Sequence, residues 1–351
     1  MPIHLDRVLS HYDIGELCGA HPVEKGFVNE NWRIETSLGA YFLKRYHPSL
    51  CHPEIVRAQH ARIAHLKGAG FPAPIIMPTT DGDTLLALDG ELCEIQTYIE
   101  GASYDHEQPA HFNEAARTLG RYHTCVEGFA PPALQNLGEL YSPAVLHANL
   151  AALTDAWEIE RDPDLAQTAR QLAAQADDLA TRFAAHGALP RLVIHGDYYA
   201  DNLIFEHGRD SAHRIVGVVD YDKARWQPRV VELAEALIYF ASPRPGRLKH
   251  LVYPGTLEWE PFKRFLHTYA SVVPLAENEI RALPDYVRCI WLQMSLQRLW
   301  EKGPCPLEAP EALQEALTLG DWAKAGRQQM VEIAQSTNSY HPVTFSLETG
   351  I

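Results

Sequence analysis

Between residues 32 and 46 apolar and polar side chains alternate. Trp32 to Thr36 and Tyr41 to Tyr46 flank the turn Ser37-Leu38-Gly39, and this period of two predicts a β-hairpin. After Pro53 the period lengthens: EIVRAQHARIAHLKGAG reads as a helix, closed by Gly68 and Gly70 and barred from continuing by Pro72 and Pro74. A second hairpin is expected around Asp81-Gly82-Asp83 and Asp89-Gly90, with the strand Leu92 to Tyr98 behind it. Glu100-Gly101 breaks that strand and marks the expected boundary of a small β-rich lobe over residues 1–100. From there to residue 351 the pattern is mainly helical. Helices are expected at about 110–127, 143–160, 163–186, 229–241, 257–271, 277–300 and 309–336. Short strands interrupt them at Leu192 to His195, Leu203 to Phe205 and Ile215 to Val219. The pattern is that of an α+β protein.

Composition narrows the partners. With 46% hydrophobic residues in 351, the chain can bury a substantial core. A formal net charge of −15 argues against a broad nucleic-acid-binding surface and against docking on anionic membranes. No stretch has the length of a signal peptide or a membrane span. The six cysteines are scattered without a C-x-x-C pair, as expected of reduced thiols in a cytoplasmic protein. His47, Cys51 and His52 lie close together, but three ligands in a loop after a strand make a weak zinc signal.

The segment LVIHGDYYADNLIF carries the chemistry, followed by RIVGVVDYDKA. A strand delivers His195, the chain turns at Gly196, Asp197 comes next and Asn202 five positions later; a second strand leads into Asp220. Phosphoryl transfer needs an acceptor oxygen held in line with the γ-phosphate, and cations to neutralise the phosphate oxygens. A carboxylate at Asp197 suits the acceptor hydroxyl, orienting it and taking its proton. Magnesium prefers hard oxygen ligands, which Asn202 and Asp220 supply. The alternative is that Asp197 and Asn202 only shape turns, as Asp and Asn often do.

The two motifs, His195-Gly196-Asp197-Tyr198-Tyr199-Ala200-Asp201-Asn202 and Val219-Asp220-Tyr221-Asp222-Lys223-Ala224, resemble the catalytic and metal-binding region of the aminoglycoside phosphotransferase and choline kinase superfamily. The resemblance implies a bilobal, protein-kinase-like fold: a small antiparallel-sheet N-lobe with one helix, and a larger, mainly helical C-lobe. It makes Asp197 the catalytic aspartate, Asn202 and Asp220 the Mg²⁺ ligands, and His195 a support of the loop. Gly26 to Lys44 resembles the nucleotide-covering hairpin and the strand with the ATP lysine, which would be Lys44; only Gly26 is present of the protein-kinase G-x-G-x-x-G. Leu92 to Gly101 resembles the strand and hinge that hold adenine, through Thr97, Tyr98 and Ile99. Glu232 stands where the superfamily has an acid that anchors the catalytic loop. The helix acid that usually pairs with the ATP lysine falls at Gln59, with Glu54 a poorer substitute, so what holds Lys44 is open.

For the acceptor, residues 274–299, the stretch Val28 to Asn31 and the F-P-A-P turn are similar to type II homoserine kinases. Gly196 and Asp222-Lys223-Ala224 depart from that subgroup's H-A-D and Y-F-A. Tyr198, Tyr199, Asp222, Trp291 and Arg298 are candidate acceptor contacts, an acid suiting an ammonium and an arginine a carboxylate; the other reading puts Trp291 and Arg298 in the core or at its rim. The expected activity is an ATP-dependent, Mg²⁺-assisted kinase for a small amine- or amino-acid-bearing alcohol, with a homodimer compatible. Alternatives are a bacterial protein Ser/Thr kinase and a nucleotide-binding regulatory pseudoenzyme.

Overall fold

The computed structural model describes residues 5–23, 29–47, 52–208, 213–243, 257–301 and 309–338. The chain forms two compact units, Met1–Gly138 with Arg191–Gln227 and Glu139–Pro190 with Pro228–Ile351. This grouping differs from the lobe boundary expected at Gly101, because the strands around the catalytic loop are bonded into the first unit.

In the first unit, α1 (Leu5–Leu9) precedes a five-stranded antiparallel sheet of β1 (Leu17–Pro22), β2 (Glu30–Thr36), β3 (Gly39–Arg45), β4 (Leu86–Leu88) and β5 (Glu91–Thr97), in the order β1-β2-β3-β5-β4. Alternation does what the sequence suggests: Ile34, Tyr41, Leu43, Cys93 and Ile95 point to one face and pack with Val8 and Leu9 of α1. Gly39 closes β2–β3, and Asp89-Gly90, both at positive φ, close β4–β5. The helix α2 (Pro53–Gly68) begins with Pro in its first turn. Its buried face is mixed, holding Val56, Ile63 and Leu66 but also Gln59, His60 and Arg62.

The rest of this unit carries the loop. β6 (Ala102–Ser103) leads to α3 (Pro109–Cys125) and the short α4 (Pro132–Gln135). β7 (Arg191–Ile194), β8 (Leu203–Phe205), β9 (Ile215–Val218) and β10 (Arg225–Pro228) follow in sequence; β7 pairs with β10, and β8 lies between β6 and β9. Backbone bonds tie these strands to the turn after α2, with the Val218 N–H donating to the Pro72 carbonyl at 2.7 Å.

The second unit is helical: α5 (Pro143–Ala156), α6 (Pro163–Ala185), α7 (Arg229–Ala241), α8 (Trp259–Ala270), α9 (Glu277–Glu301), α10 (Ala309–Ala325) and α11 (Arg327–Asn338). The helix expected over 143–160 ends four residues early, where Glu158 takes a left-handed backbone and a 3₁₀ turn begins. Leu146, Leu150 and Leu153 of α5 pack with Leu172 and Leu179 of α6, Leu292 and Leu296 of α9 and Leu313 of α10. Among the described residues no helix is long and apolar enough to cross a membrane.

Candidate active site

The site is assembled within the first unit. β7 ends at Ile194 and the chain reverses at Gly196, whose φ is 80°. A Cβ there would come within 2.5 Å of the Lys223 carbonyl oxygen, so only glycine allows the two backbones to touch. Asp197 follows, 9% exposed, and its Oδ1 accepts an ion-paired hydrogen bond from Lys223 Nζ at 2.9 Å. A 3₁₀ turn, Ala200–Asn202, brings Asn202 back so that its Nδ2 donates to the Asp197 carbonyl at 2.8 Å. With its nitrogen so engaged, Asn202 offers its amide oxygen as a ligand.

The strand β9 sets Asp220 beside this loop. The Val219 N–H donates to the Asn202 carbonyl, and His195 Nε2 donates to the Val219 carbonyl, both at 3.1 Å. His195 is fully buried, and burial, with Arg62 nearby, holds its pKa well below the ordinary range. It is a neutral ring that joins strand to loop. Asp220 is a non-glycine residue at φ 64°, an arrangement that costs about 1 kcal/mol or more and concentrates at functional sites. Loss of hydration, with Asp222 and Asp197 nearby, raises its carboxyl despite the opposing charge of Lys44.

Lys44 reaches this place from β3. Its Nζ lies 2.7 Å from Asp222 Oδ1 and 3.9 Å from Asp220 Oδ1. Burial works against its charge, yet Asp222, Asp220 and Glu94 together raise its pKa. Asn29, at the edge of the nucleotide-covering segment, donates to the other oxygen of Asp222 at 2.9 Å.

The helix α2 fixes the frame. Gln59 Nε2 donates to the Asp222 carbonyl at 2.8 Å and so makes no bond to Lys44 in place of the missing acid. Arg62, 0% exposed, donates to the Tyr221 carbonyl at 3.1 Å, the Ile194 carbonyl at 3.3 Å and the Tyr122 hydroxyl at 3.1 Å. One helix therefore holds both the start of the catalytic loop and the end of the metal motif.

Several expected contacts are corrected. Tyr198 is fully buried and donates its hydroxyl to the Ala115 carbonyl at 2.8 Å, which makes it a packing residue of α3 and not an acceptor contact. Asp222 is the ion-pair partner of Lys44, so it is not available to an acceptor ammonium in this arrangement. Trp291 is 1% exposed in the second unit, edge-on to Trp322, and belongs to the core. The N–H groups of Thr97 and Tyr98 donate to the carbonyls of Ile75 and Ala40, so of the backbone groups expected to hold adenine these two are engaged within the protein.

Tyr199 stays a candidate beside Asp197; burial and the carboxylates of Asp197, Asp201 and Asp220 raise its hydroxyl, so it is a protonated donor at neutral pH. Glu232 is fully buried in the first turn of α7. Gly26, Cys51 and the side chain of Arg298 lie outside the described residues. Sequence reasoning gave no site role to Asn29, Arg62, Glu94 and Lys223; Asn29 lies in the stretch Val28 to Asn31 and Lys223 in the metal motif, while Arg62 and Glu94 carried no local signal.

The model of the phosphotransferase enzyme family matches residues 19–258, which contain this whole arrangement. The chain belongs to that family. A homoserine kinase of Phenylobacterium zucineum is 27% identical over 309 residues, 86% of each chain. Among solved structures, a microcompartment-associated aminopropanol kinase superposes with a TM-score of 0.69 at 16% identity, over 93% of this chain and 98% of the other. Spectinomycin phosphotransferase, in complex with ADP and spectinomycin, gives 0.57 at 16% identity, over 97% of this chain and all of the other. The fold is thus kinase-like, and the protein is a phosphotransferase of that family.

Proposed function

We propose that this phosphotransferase moves the γ-phosphate of ATP to the hydroxyl of a small amino alcohol or hydroxy amino acid, homoserine foremost. The observation that carries the reading is the bonding of Asn202 to the Asp197 carbonyl and of the Val219 N–H to the Asn202 carbonyl, which sets Asp220 beside the loop with its Oδ1 3.9 Å from Lys44 Nζ. Asp197 has one oxygen on Lys223, and the other is the acceptor for the proton of the substrate hydroxyl. Lys44 would hold the α- and β-phosphates, and backbone groups of Thr97, Tyr98 and Ile99 would hold adenine.

The donor set fits magnesium: an amide oxygen oriented by its own nitrogen at Asn202, and a carboxylate at Asp220 crowded by other acids, where a cation relieves repulsion. When bound, the ion neutralises charge on the phosphate oxygens. Homoserine is favoured because the curated relative is a homoserine kinase over 86% of this chain, while the aminopropanol kinase supports only the fold.

The test is ATP consumption against homoserine, aminopropanol, ethanolamine, choline, hydroxylysine, sugars and aminoglycosides, with the variant Asp197→Asn. Turnover with one small alcohol should fall by ~10²-fold or more in the variant while ADP affinity stays within a few-fold. Phosphate appearing only on bulk protein would favour a protein kinase. Equal turnover in wild type and Asp197→Asn would sink the mechanism.

A further inference from the structure

We propose that Glu94 and His60 form the acidic brace of Lys44, doing from a strand what a helix acid does elsewhere in kinase-like folds; the proposal rests on Lys44 being the ATP lysine. Such folds need a lysine held by a carboxylate so that its ammonium stays charged and aimed at the phosphates. Here the helix position holds Gln59, whose amide is spent on the Asp222 carbonyl. The acid is supplied across the sheet. Glu94 stands opposite Lys44 in the β3–β5 register, and residues so opposed project on the same face. Lys44, Glu94, His60, Gln59 and Asp222 line one pocket.

A carboxylate that is 3% exposed is costly unless it is bonded. Glu94 Oε2 accepts from the Tyr46 hydroxyl at 2.5 Å and meets His60 Nε2 at 2.5 Å. The other ring nitrogen of His60 lies 2.8 Å from Thr84 Oγ1. His60 sits on α2, next to Gln59, so the helix still sets where the acid stands.

The arrangement also explains why a second anion is needed. Asp222 and Asp220 hold Lys44 in this structure. Asp220 is a metal-ligand candidate, and a lysine turning to phosphate leaves both of them. Glu94 is buried in the same pocket and remains to offset the charge.

The experiment measures ADP affinity calorimetrically, with and without Mg²⁺, and the KM for ATP against kcat, in Glu94→Gln, His60→Gln and the double variant Gln59→Glu/Glu94→Gln. Each unfolding midpoint is recorded alongside. Glu94→Gln should weaken nucleotide binding ~10-fold or more, and His60→Gln a lesser ~3-fold or more, the scale of one lost buried charged bond. Restoring an acid at the helix position should recover most of the lost affinity, which a packing role for Glu94 cannot produce. Unchanged ADP affinity in Glu94→Gln, or a folded double variant no better than the single one, overturns the brace. If Glu94→Gln does not fold, His60→Gln decides by the same measure, unchanged affinity again counting against the proposal. If Lys44→Ala leaves ADP binding intact, the assignment of Lys44 has failed instead.

Discussion

Gly196 and Glu94 show how single residues here are fixed by what surrounds them. Alanine at position 196 would place a Cβ 2.5 Å from the Lys223 carbonyl oxygen and would have to keep φ at 80°. Gly196→Ala is expected to lose about 1–3 kcal/mol in urea unfolding. It should also lower turnover more than nucleotide affinity, because it pushes Lys223 away from Asp197; equal stability would mean that the two backbones do not touch. Glu94 makes a prediction about acid. Burial alone would raise its carboxyl, but His60, Lys44 and Tyr46 pull it from 4.5 down to about 2. The unfolded chain then binds this proton more readily than the folded one. The contribution is complete above about pH 4.5 and is lost as the pH falls towards 2, and it amounts to about 3 kcal/mol at neutral pH. Glu94→Gln should flatten the fall in stability between pH 5 and pH 2 (~) relative to wild type. If the two acid-unfolding slopes coincide, the carboxylate is not stabilised as described.

At the scale of elements, α2 is the organiser of the site, and the sequence shows only half of that. Pro53 and the Gly68 to Pro74 stretch mark the helix, and its apolar positions mark a core face. The sequence marks Gln59 only as the place of the missing helix acid, and nothing in it marks His60 or Arg62 as buried, since such residues are mostly exposed. Gln59 and Arg62 are buried against the carbonyls of Ile194, Tyr221 and Asp222, from segments more than 100 residues away. The hairpin β2–β3 and the strand β5 were legible because alternation and turn residues are local signals. β1 was not, because its burial pattern has no alternation, and β10 is too short to show one. Arg62 gives the test of the element. Arg62→Met removes a buried fork from three acceptors and should cost about 3–5 kcal/mol, with Arg62→Lys recovering little, since one ammonium cannot span them. A loss below about 1 kcal/mol in chemical denaturation would show that the helix does not hold the loop.

For the whole molecule, the catalytic loop was readable because its residues lie within eight positions, whereas its partners are brought in by the fold. Lys44 and Asp222 are 178 positions apart, and no local pattern announces their pairing. Two of the candidate acceptor residues failed for the same reason: Tyr198 and Trp291 have side chains suited to a substrate, and only packing shows that they are core. The grouping of the catalytic loop with the sheet in one compact unit has a measurable consequence. On the proposed function, nucleotide with Mg²⁺ would contact residues of that unit far apart in sequence and would stabilise the folded state by about 2.7 kcal/mol at a hundred times its dissociation constant. Hydrogen exchange should therefore slow together in 41–46, 92–97, 195–203 and 218–223 when ADP and Mg²⁺ are added. In Asp220→Ala the Mg²⁺-dependent part of that protection should disappear, while the part due to ADP alone is retained around Lys44. Protection that leaves 195–203 and 218–223 unchanged in wild type would separate the nucleotide from the loop, and with it the assignment of Asn202 and Asp220 to the metal.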